Sequence, residues 1–239
     1  MIKVGEIVGR GKKKRRQKQA QKRKDKLKLG KQVPFDLANS PRKLNGIRNK
    51  YNYKSNMHNL IYKDAYFENV KYQASIITDC NFKNTKLRGV DFYNSNLKRT
   101  SFKGASLNNV IFFNCNLKGT DFKNVKFKNV FFMSTSIEVA KNFDQSGSIT
   151  IITHYPKLEI SERLKRTLTE LSNCEKIYKG RVLHVNKNKW NHWNIKLLLD
   201  EYGKDLEKAL YALIRRKNKW GFNTLYSYKR FIDCYLKRW

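Results

Sequence analysis

Large apolar residues recur at every fifth position along the middle of the chain. Within residues 109–132 they stand at Phe112, Leu117, Phe122, Phe127 and Phe132. A strand repeats every two residues and a helix every 3.6, so neither element explains this spacing. The same register runs unbroken from Tyr62 to Ile137. The pattern predicts a repeat architecture rather than a single strand or helix.

A small or β-branched residue stands two positions before most of these apolar centres, as in CNFKN, VDFYN, SNLKR, ASLNN, CNLKG and TDFKN. This pattern resembles the pentapeptide repeat family. The resemblance implies an all-β solenoid over residues 60–140, a right-handed quadrilateral β-helix of about four coils with four pentapeptides in each. The best-understood members are acidic rods that mimic DNA. A basic chain is unsuited to that role.

Residues twenty positions apart are expected to stack on one face of such a solenoid. The sequence agrees, because Val70, Val90, Val110 and Val130 recur at that spacing. Asn and Gly two places after many centres suit corners that require a positive φ. Cys80 and Cys115 fall at inward positions, where we expect them to pack rather than to ligate.

Two outward surfaces stand out. Lys63, Lys83, Lys103 and Lys123 form a lysine ladder, which favours either a polyanionic partner or simple protection of the rod against edge pairing. Another face carries an apolar patch: Tyr93, Ile111, Phe113, Phe131 and Met133. A patch of this kind indicates a covering partner. The C-terminal region of the same chain is favoured over a separate protein.

Beyond residue 140 the five-residue register stops. Residues 141–160 are predicted to be a cap or linker, with one alternating run from Ile149 to His154 that indicates a strand. Residues 161–239 predict a small basic all-α domain whose first helix begins at Ser161 and whose last begins at Asn223 or Thr224. The helix ends at Arg215, Arg216, Lys229 and Arg230 are compatible with a helix-turn-helix-like nucleic-acid module. We interpret the tryptophans as core or lid residues rather than as platforms on which bases stack. They are Trp190, Trp193, Trp220 and Trp239.

The net charge of the 239 residues is +33. It divides into +16 for residues 1–59, +6 for 60–140 and +11 for 141–239. Base composition of the gene alone explains this poorly, because the acidic count stays low. A basic excess throughout the chain favours nucleic acid as the partner.

The largest share of the charge lies in the N-terminal arm and linker, residues 1–59. Thirteen basic residues and one acidic residue fall between Arg10 and Lys31, so the segment cannot fold alone and is expected to be disordered, or helical once phosphates screen it. The predicted phosphate contacts in the arm are Lys12, Lys13, Lys14, Arg15, Arg16, Lys18, Lys22, Arg23 and Lys24.

Catalytic and metal-binding patterns are missing from the sequence. The four cysteines and four histidines lack zinc-site spacing, and a site formed by Cys174, His184 and His192 is disfavoured. The sequence shows no phosphate loop or nucleophile elbow, and neither a membrane span nor a secretory signal. We therefore expect a non-enzymatic protein without cofactor or metal, cytoplasmic and associated with nucleoid or ribosome. The sequence leaves its oligomeric state open.

Two main hypotheses follow. The first is a nucleic-acid-binding protein whose β-helix is a rigid scaffold, with RNA slightly favoured over DNA because the long basic arm resembles extensions that thread into RNA. The second is an adaptor that docks a protein through the apolar patch, such as a topoisomerase or a component of a defence or mobile-element complex. An enzyme in the C-terminal region is a weaker third.

Overall fold

The computed structural model describes residues 44–237 together with residues 21, 22, 25 and 29. Of the nine arm residues predicted to contact phosphates, only Lys22 belongs to this part, where it is helical and exposed. The other eight, Lys12, Lys13, Lys14, Arg15, Arg16, Lys18, Arg23 and Lys24, lie outside the described residues.

Parallel strands twenty residues apart build the first unit. They are β1 (Arg48–Tyr53), β2 (Asn56–His58), β3 (Tyr66–Gln73), β4 (Ile76–Thr78), β5 (Lys86–Tyr93), β6 (Ser106–Phe113), β7 (Lys126–Met133) and β8 (Ile149–Ile152). The principal sheet has the order β1-β3-β5-β6-β7-β8, and every pair in it is parallel. Up to β7 each residue pairs with the residue twenty positions later, as Phe92 does with Phe112. The unit is a β-solenoid of about five turns, one more than predicted.

The corners follow the five-residue period. Every fifth residue from Asn49 to Ser134 has a φ between 46° and 70°. Most are Asn or Gly, as the sequence predicts, but Lys54, Ala74 and Arg99 adopt the same conformation. The solenoid therefore imposes the corner even on side chains that disfavour it.

The interior is a set of stacked columns. The rings of Tyr72, Phe92, Phe112 and Phe132 lie nearly parallel, with successive centroids 5.5, 5.2 and 4.9 Å apart. Cys80 and Cys115 are buried in the same core, and burial raises the pKa of each thiol to about 12. Their predicted packing role is confirmed.

The solenoid extends beyond the predicted boundaries at both ends. Strand β1 pairs with β3 in the twenty-residue register, so a boundary at residue 60 is one coil too late. Asn52 conceals this coil, because it occupies the position that Tyr72 fills one turn later. At the other end β8 confirms the predicted strand and pairs with β7 at an offset of nineteen residues.

A helical domain follows the solenoid. It contains α1 (Glu162–Asn173), α2 (Glu175–Lys179), β9 (His184–Asn186), β10 (Lys189–Trp190), α3 (His192–Tyr202), α4 (Asp205–Arg215) and α5 (Leu225–Leu236). Ser161 caps α1 and Thr224 forms a capping box with Ser227, which confirms both predicted starts. In the described ranges, every helix is too short or too polar to cross a membrane.

Candidate nucleic-acid interface

The apolar patch on the solenoid is covered by the helical domain. Tyr93, Ile111 and Met133 are buried, and Phe113 and Phe131 are partly buried. All five pack in one core with apolar side chains of the helices. The hypothesis that this patch docks a separate protein is therefore wrong. The structure thus realises the internal fold-back that the sequence favoured, and leaves the other outer faces to any ligand.

Two buried charged side chains fasten the helical domain to this face. Lys71 and Asp91 are opposite each other on β3 and β5, and both have 0% exposure. The Lys71 ammonium donates to the carbonyl oxygens of Gly180 and Arg181 at 3.0 and 2.8 Å. The Asp91 carboxylate accepts from the backbone N–H of Leu225, at the first turn of α5, at 3.0 Å. Each charge therefore binds a different segment of the domain.

Burial perturbs both groups strongly. Removal from water raises the pKa of Asp91 above its ordinary value, although Lys71 and the Leu225 N–H oppose the rise. Removal from water likewise lowers the pKa of Lys71, against the attraction of Asp91. Each group is therefore easier to neutralise in the folded chain than in the unfolded one.

This perturbation predicts a pH dependence of stability. The folded-state pKa of Asp91 is raised, so as pH rises the Asp91 carboxyl loses its proton in the unfolded chain before it does in the folded chain. The protonated carboxyl therefore stabilises the fold at low pH, and this stabilisation declines as pH rises from about 4 towards neutrality. We expect the free energy of unfolding of the wild type, relative to that of Asp91→Asn, to fall over this window. Urea denaturation at several pH values measures it, and a constant or rising difference contradicts the assignment.

A second set of contacts places the segment that precedes α5. Asn69, at a solenoid corner, donates to the Gly221 carbonyl oxygen at 2.5 Å and accepts from the Thr224 hydroxyl at 2.7 Å. At the equivalent corner of the next coil, Gly89 lies directly under the ring of Tyr226. Helix α5 and its preceding loop are therefore held against the corners of successive coils.

A cleft of about 640 Å³ opens where these elements meet. The solenoid supplies Asn49, Glu68, Asn69, Arg88 and Asn109 to its walls. The α4–α5 loop and α5 supply the rest, which includes Arg216, Trp220, Tyr226, Arg230 and Phe231. The cleft thus combines three guanidinium groups with aromatic surfaces.

Aromatic rings hold the three guanidinium groups of the cleft. The Arg88 group lies 5.3 Å and the Arg230 group 5.8 Å from the centroid of the Tyr226 ring, and Arg216 lies 5.4 Å from that of Phe231. Contacts of this type orient the planar guanidinium and leave its donors available for an anion. The Arg230 group also approaches the Glu68 carboxylate at 3.7 Å.

The lysine ladder lies on a different, open face of the solenoid. Lys63, Lys83 and Lys123 are exposed, whereas Lys103 is partly exposed and forms an ion pair with Asp121 at 3.1 Å. Of the four ladder lysines, Lys103 is neutralised by Asp121, so the positive charges on successive coils are only partly neutralised by the described acidic residues. This face therefore retains a positive field.

The predicted basic residues of the helical domain have different environments. Arg215 is exposed and donates to the Tyr211 hydroxyl at 2.9 Å. Arg216 and Arg230 are exposed and line the cleft. Lys229 was wrongly assigned to a phosphate contact, because it is 8% exposed and pairs with Glu201.

Sequence reasoning missed Arg88 and underrated Trp220 as members of this site. Arg88 occurs at the outward position that Glu68 and Asn108 share on adjacent coils, so the column shows no charge pattern. Trp220 follows a run of basic residues before Gly221, which was a usable signal. The orientation of each residue in the cleft depends on contacts between residues that are more than 100 positions apart in the sequence.

The structure also shows the surroundings of His184, one of the residues of the disfavoured metal site. His184 is buried, its Nε2 lies 2.8 Å from the Leu168 carbonyl oxygen, and burial lowers its pKa. Within residues 44–237 and the four described arm residues, no three His, Cys, Asp or Glu side chains are grouped to hold a metal ion.

Comparisons with known proteins identify the repeat. Residues 55–132 match the family model of the pentapeptide repeat region. Among solved structures, QnrB1, a plasmid-mediated fluoroquinolone resistance protein, has 16% identity over 41% of this chain and 56% of its own, with a TM-score of 0.37. A pentapeptide repeat protein from the Arabidopsis thaliana thylakoid lumen has 19% identity over 41% and 70%, with a TM-score of 0.31.

A third structure, HetL from the cyanobacterium Nostoc sp. strain PCC 7120, a pentapeptide repeat protein involved in heterocyst differentiation regulation, has 12% identity over 44% of this chain and 60% of its own, with a TM-score of 0.18. This chain thus spans little more than half of the trypsin-treated QnrB1 chain that it matches. No curated protein matches it.

Proposed function

With residues 55–132 identified as a pentapeptide repeat region, we propose that the chain is a non-enzymatic protein that binds nucleic acid and uses the β-solenoid as a rigid scaffold. The observation that carries the proposal is the cleft, in which Arg88, Arg216 and Arg230 lie on aromatic rings. Guanidinium groups held in this way favour phosphate, and the aromatic surfaces favour bases.

The open faces support the same function. The lysine ladder lies on a side that the helical domain leaves uncovered. The basic residues between Arg10 and Lys31 precede Asn49 of the cleft in the sequence. Phosphate contacts from these groups add affinity without reading sequence. RNA is favoured over DNA because the long arm is suited to enter a structured RNA.

A salt titration tests the proposal. We expect the affinity for a structured RNA to fall by on the order of 10²-fold between 0.05 and 0.2 M salt, as release of counterions from about five phosphate contacts requires. The measurement is fluorescence anisotropy with a labelled RNA hairpin. Binding to neither RNA nor duplex DNA at about 0.1 M salt contradicts the proposal.

Matched lysine variants locate the contacts. The double variant Lys83→Ala, Lys123→Ala removes two exposed ladder charges and is expected to reduce the logarithmic salt slope by about 1.5. The control is Lys165→Ala, Lys196→Ala, because these lysines already pair with Glu162 and Asp200. Equal slopes for the two double variants exclude the ladder as a contact surface.

A further inference from the structure

We infer that the cleft binds an unpaired nucleotide of a single-stranded RNA, with its base stacked on Trp220 and its phosphate held by Arg88 and Arg216. The inference rests on the proposed function and specifies the form of nucleic acid that this site takes. Its three parts are an exposed ring, two cations available to an anion, and a space of nucleotide size.

Trp220 is the most exposed large apolar residue of the described chain, with 73% exposure. Indole rings in folded proteins are normally well covered, so a ring left in solvent needs an explanation. The ammonium of Lys176 lies 4.8 Å from its centroid and provides a partner within the chain. Most of the ring surface nevertheless stays accessible for stacking.

The loop that carries Trp220 is fixed at several points. The backbone N–H of Trp220 donates to the Asn218 side-chain oxygen at 3.0 Å, and the Arg216 guanidinium donates to the Asn218 carbonyl oxygen at 2.6 Å. At the next residue, the Gly221 carbonyl oxygen accepts from Asn69 of the solenoid. A ring presented on such a support loses little conformational entropy when a base stacks on it.

The cations of the cleft divide into one that is paired and two that are not. Arg230 forms an ion pair with the Glu68 carboxylate, whereas Arg88 and Arg216 form no ion pair with a carboxylate of the described residues. A second acidic group of the cleft, Asp233, is engaged by the Tyr202 hydroxyl at 2.7 Å. Arg88 and Arg216 are therefore the groups available to a phosphate.

The shape of the site selects a single strand. A volume of about 640 Å³ lies within the range of small-ligand sites and accommodates a nucleotide. A base within a duplex is already stacked on both faces and cannot place itself against a protein ring without leaving the helix. The duplex can contact the lysine ladder, but it cannot use Trp220.

The experiment compares two labelled probes, a 12-nucleotide oligouridine and a 12-base-pair RNA duplex, by fluorescence anisotropy at about 0.1 M salt. We expect Trp220→Ala to weaken binding of the single strand by roughly 10-fold, within the range known for one stacked base, and to leave duplex binding unchanged. Trp220→Phe keeps a flat ring and should retain most of the affinity. Arg88→Ala with Arg216→Ala should weaken the single strand further.

The outcomes separate the two proposals. If Trp220→Ala binds both probes as the wild type does, the stacking site is refuted while the proposed function stands. If the wild type binds neither probe, nor the RNA hairpin, both fail. A polyglutamate peptide that binds with an affinity dependent on Trp220, and that displaces the oligouridine, assigns the cleft to acidic peptides and overturns the inference. Because Trp220 is exposed, its variants should keep the wild-type circular dichroism spectrum.

Discussion

Replacing Asp91 by alanine is expected to lower the free energy of unfolding by about 3 kcal/mol. The change leaves the Leu225 N–H, at the buried start of α5, without its acceptor, which alone costs about 1–3 kcal/mol. It also leaves the ammonium of Lys71 buried without the neighbouring carboxylate. Urea denaturation at pH 7 gives the measurement.

Two further variants test this explanation. The double variant Lys71→Met, Asp91→Ala removes both charges, so it should be more stable than the sum of the single effects implies, by at least about 1 kcal/mol. The control is Arg99→Ala, which breaks the surface ion pair with Asp79 and should cost less than about 1 kcal/mol. Additive effects of Lys71→Met and Asp91→Ala show that the two charges act independently.

The solenoid could be predicted from the sequence because its contacts are local and periodic. Each coil packs only on its neighbours, so a five-residue pattern specifies the side chain that enters the core. The column of Tyr72, Phe92, Phe112 and Phe132 follows from spacing alone. The first coil escaped prediction where Asn52 replaces the aromatic residue of that column.

The docking of the helical domain could be predicted only in part. The apolar patch around Phe113 and Phe131 showed that something covers this face, and the C-terminal helices were the favoured partner. Nothing in the local pattern showed that Lys71 and Asp91, outward and charged, would be buried there. Their burial depends on carbonyl and N–H groups at Gly180, Arg181 and Leu225, each more than 100 positions away.

The cleft has the same limitation. The basic helix ends predicted as nucleic-acid contacts include Arg216 and Arg230, which are exposed, and Lys229, which is buried and was wrongly included. Lys229 and Arg230 are adjacent in the chain, but one side chain turns towards Glu201 and the solenoid while the other faces the cleft. A helical periodicity cannot make this distinction until the covered face of α5 is known.

Replacing Gly89 by asparagine is expected to cost about 3 kcal/mol, although asparagine is the commonest residue at the equivalent corners. Asparagine tolerates the positive φ of 62° at this position. Its Cβ, however, meets the ring of Tyr226 at 2.2 Å, so α5 must move away from the solenoid. Glycine is required here because a helix packs on the corner, and the effect should appear as a lower urea midpoint.

Gly119→Asn is the matched control for this corner. Gly119 has a similar φ of 70°, and the nearest atom that its Cβ meets is Arg99 Cγ at 3.6 Å, an ordinary contact. We expect this variant to stay within about 0.5 kcal/mol of the wild type. If Gly89→Asn costs no more than Gly119→Asn, the packing of Tyr226 on the solenoid does not require glycine at position 89. The described contact between Gly89 and Tyr226, which forms one wall of the cleft, is then wrong. If the contact is correct, adding Tyr226→Ala to Gly89→Asn removes the clash, so the double variant should be more stable than the two separate effects predict.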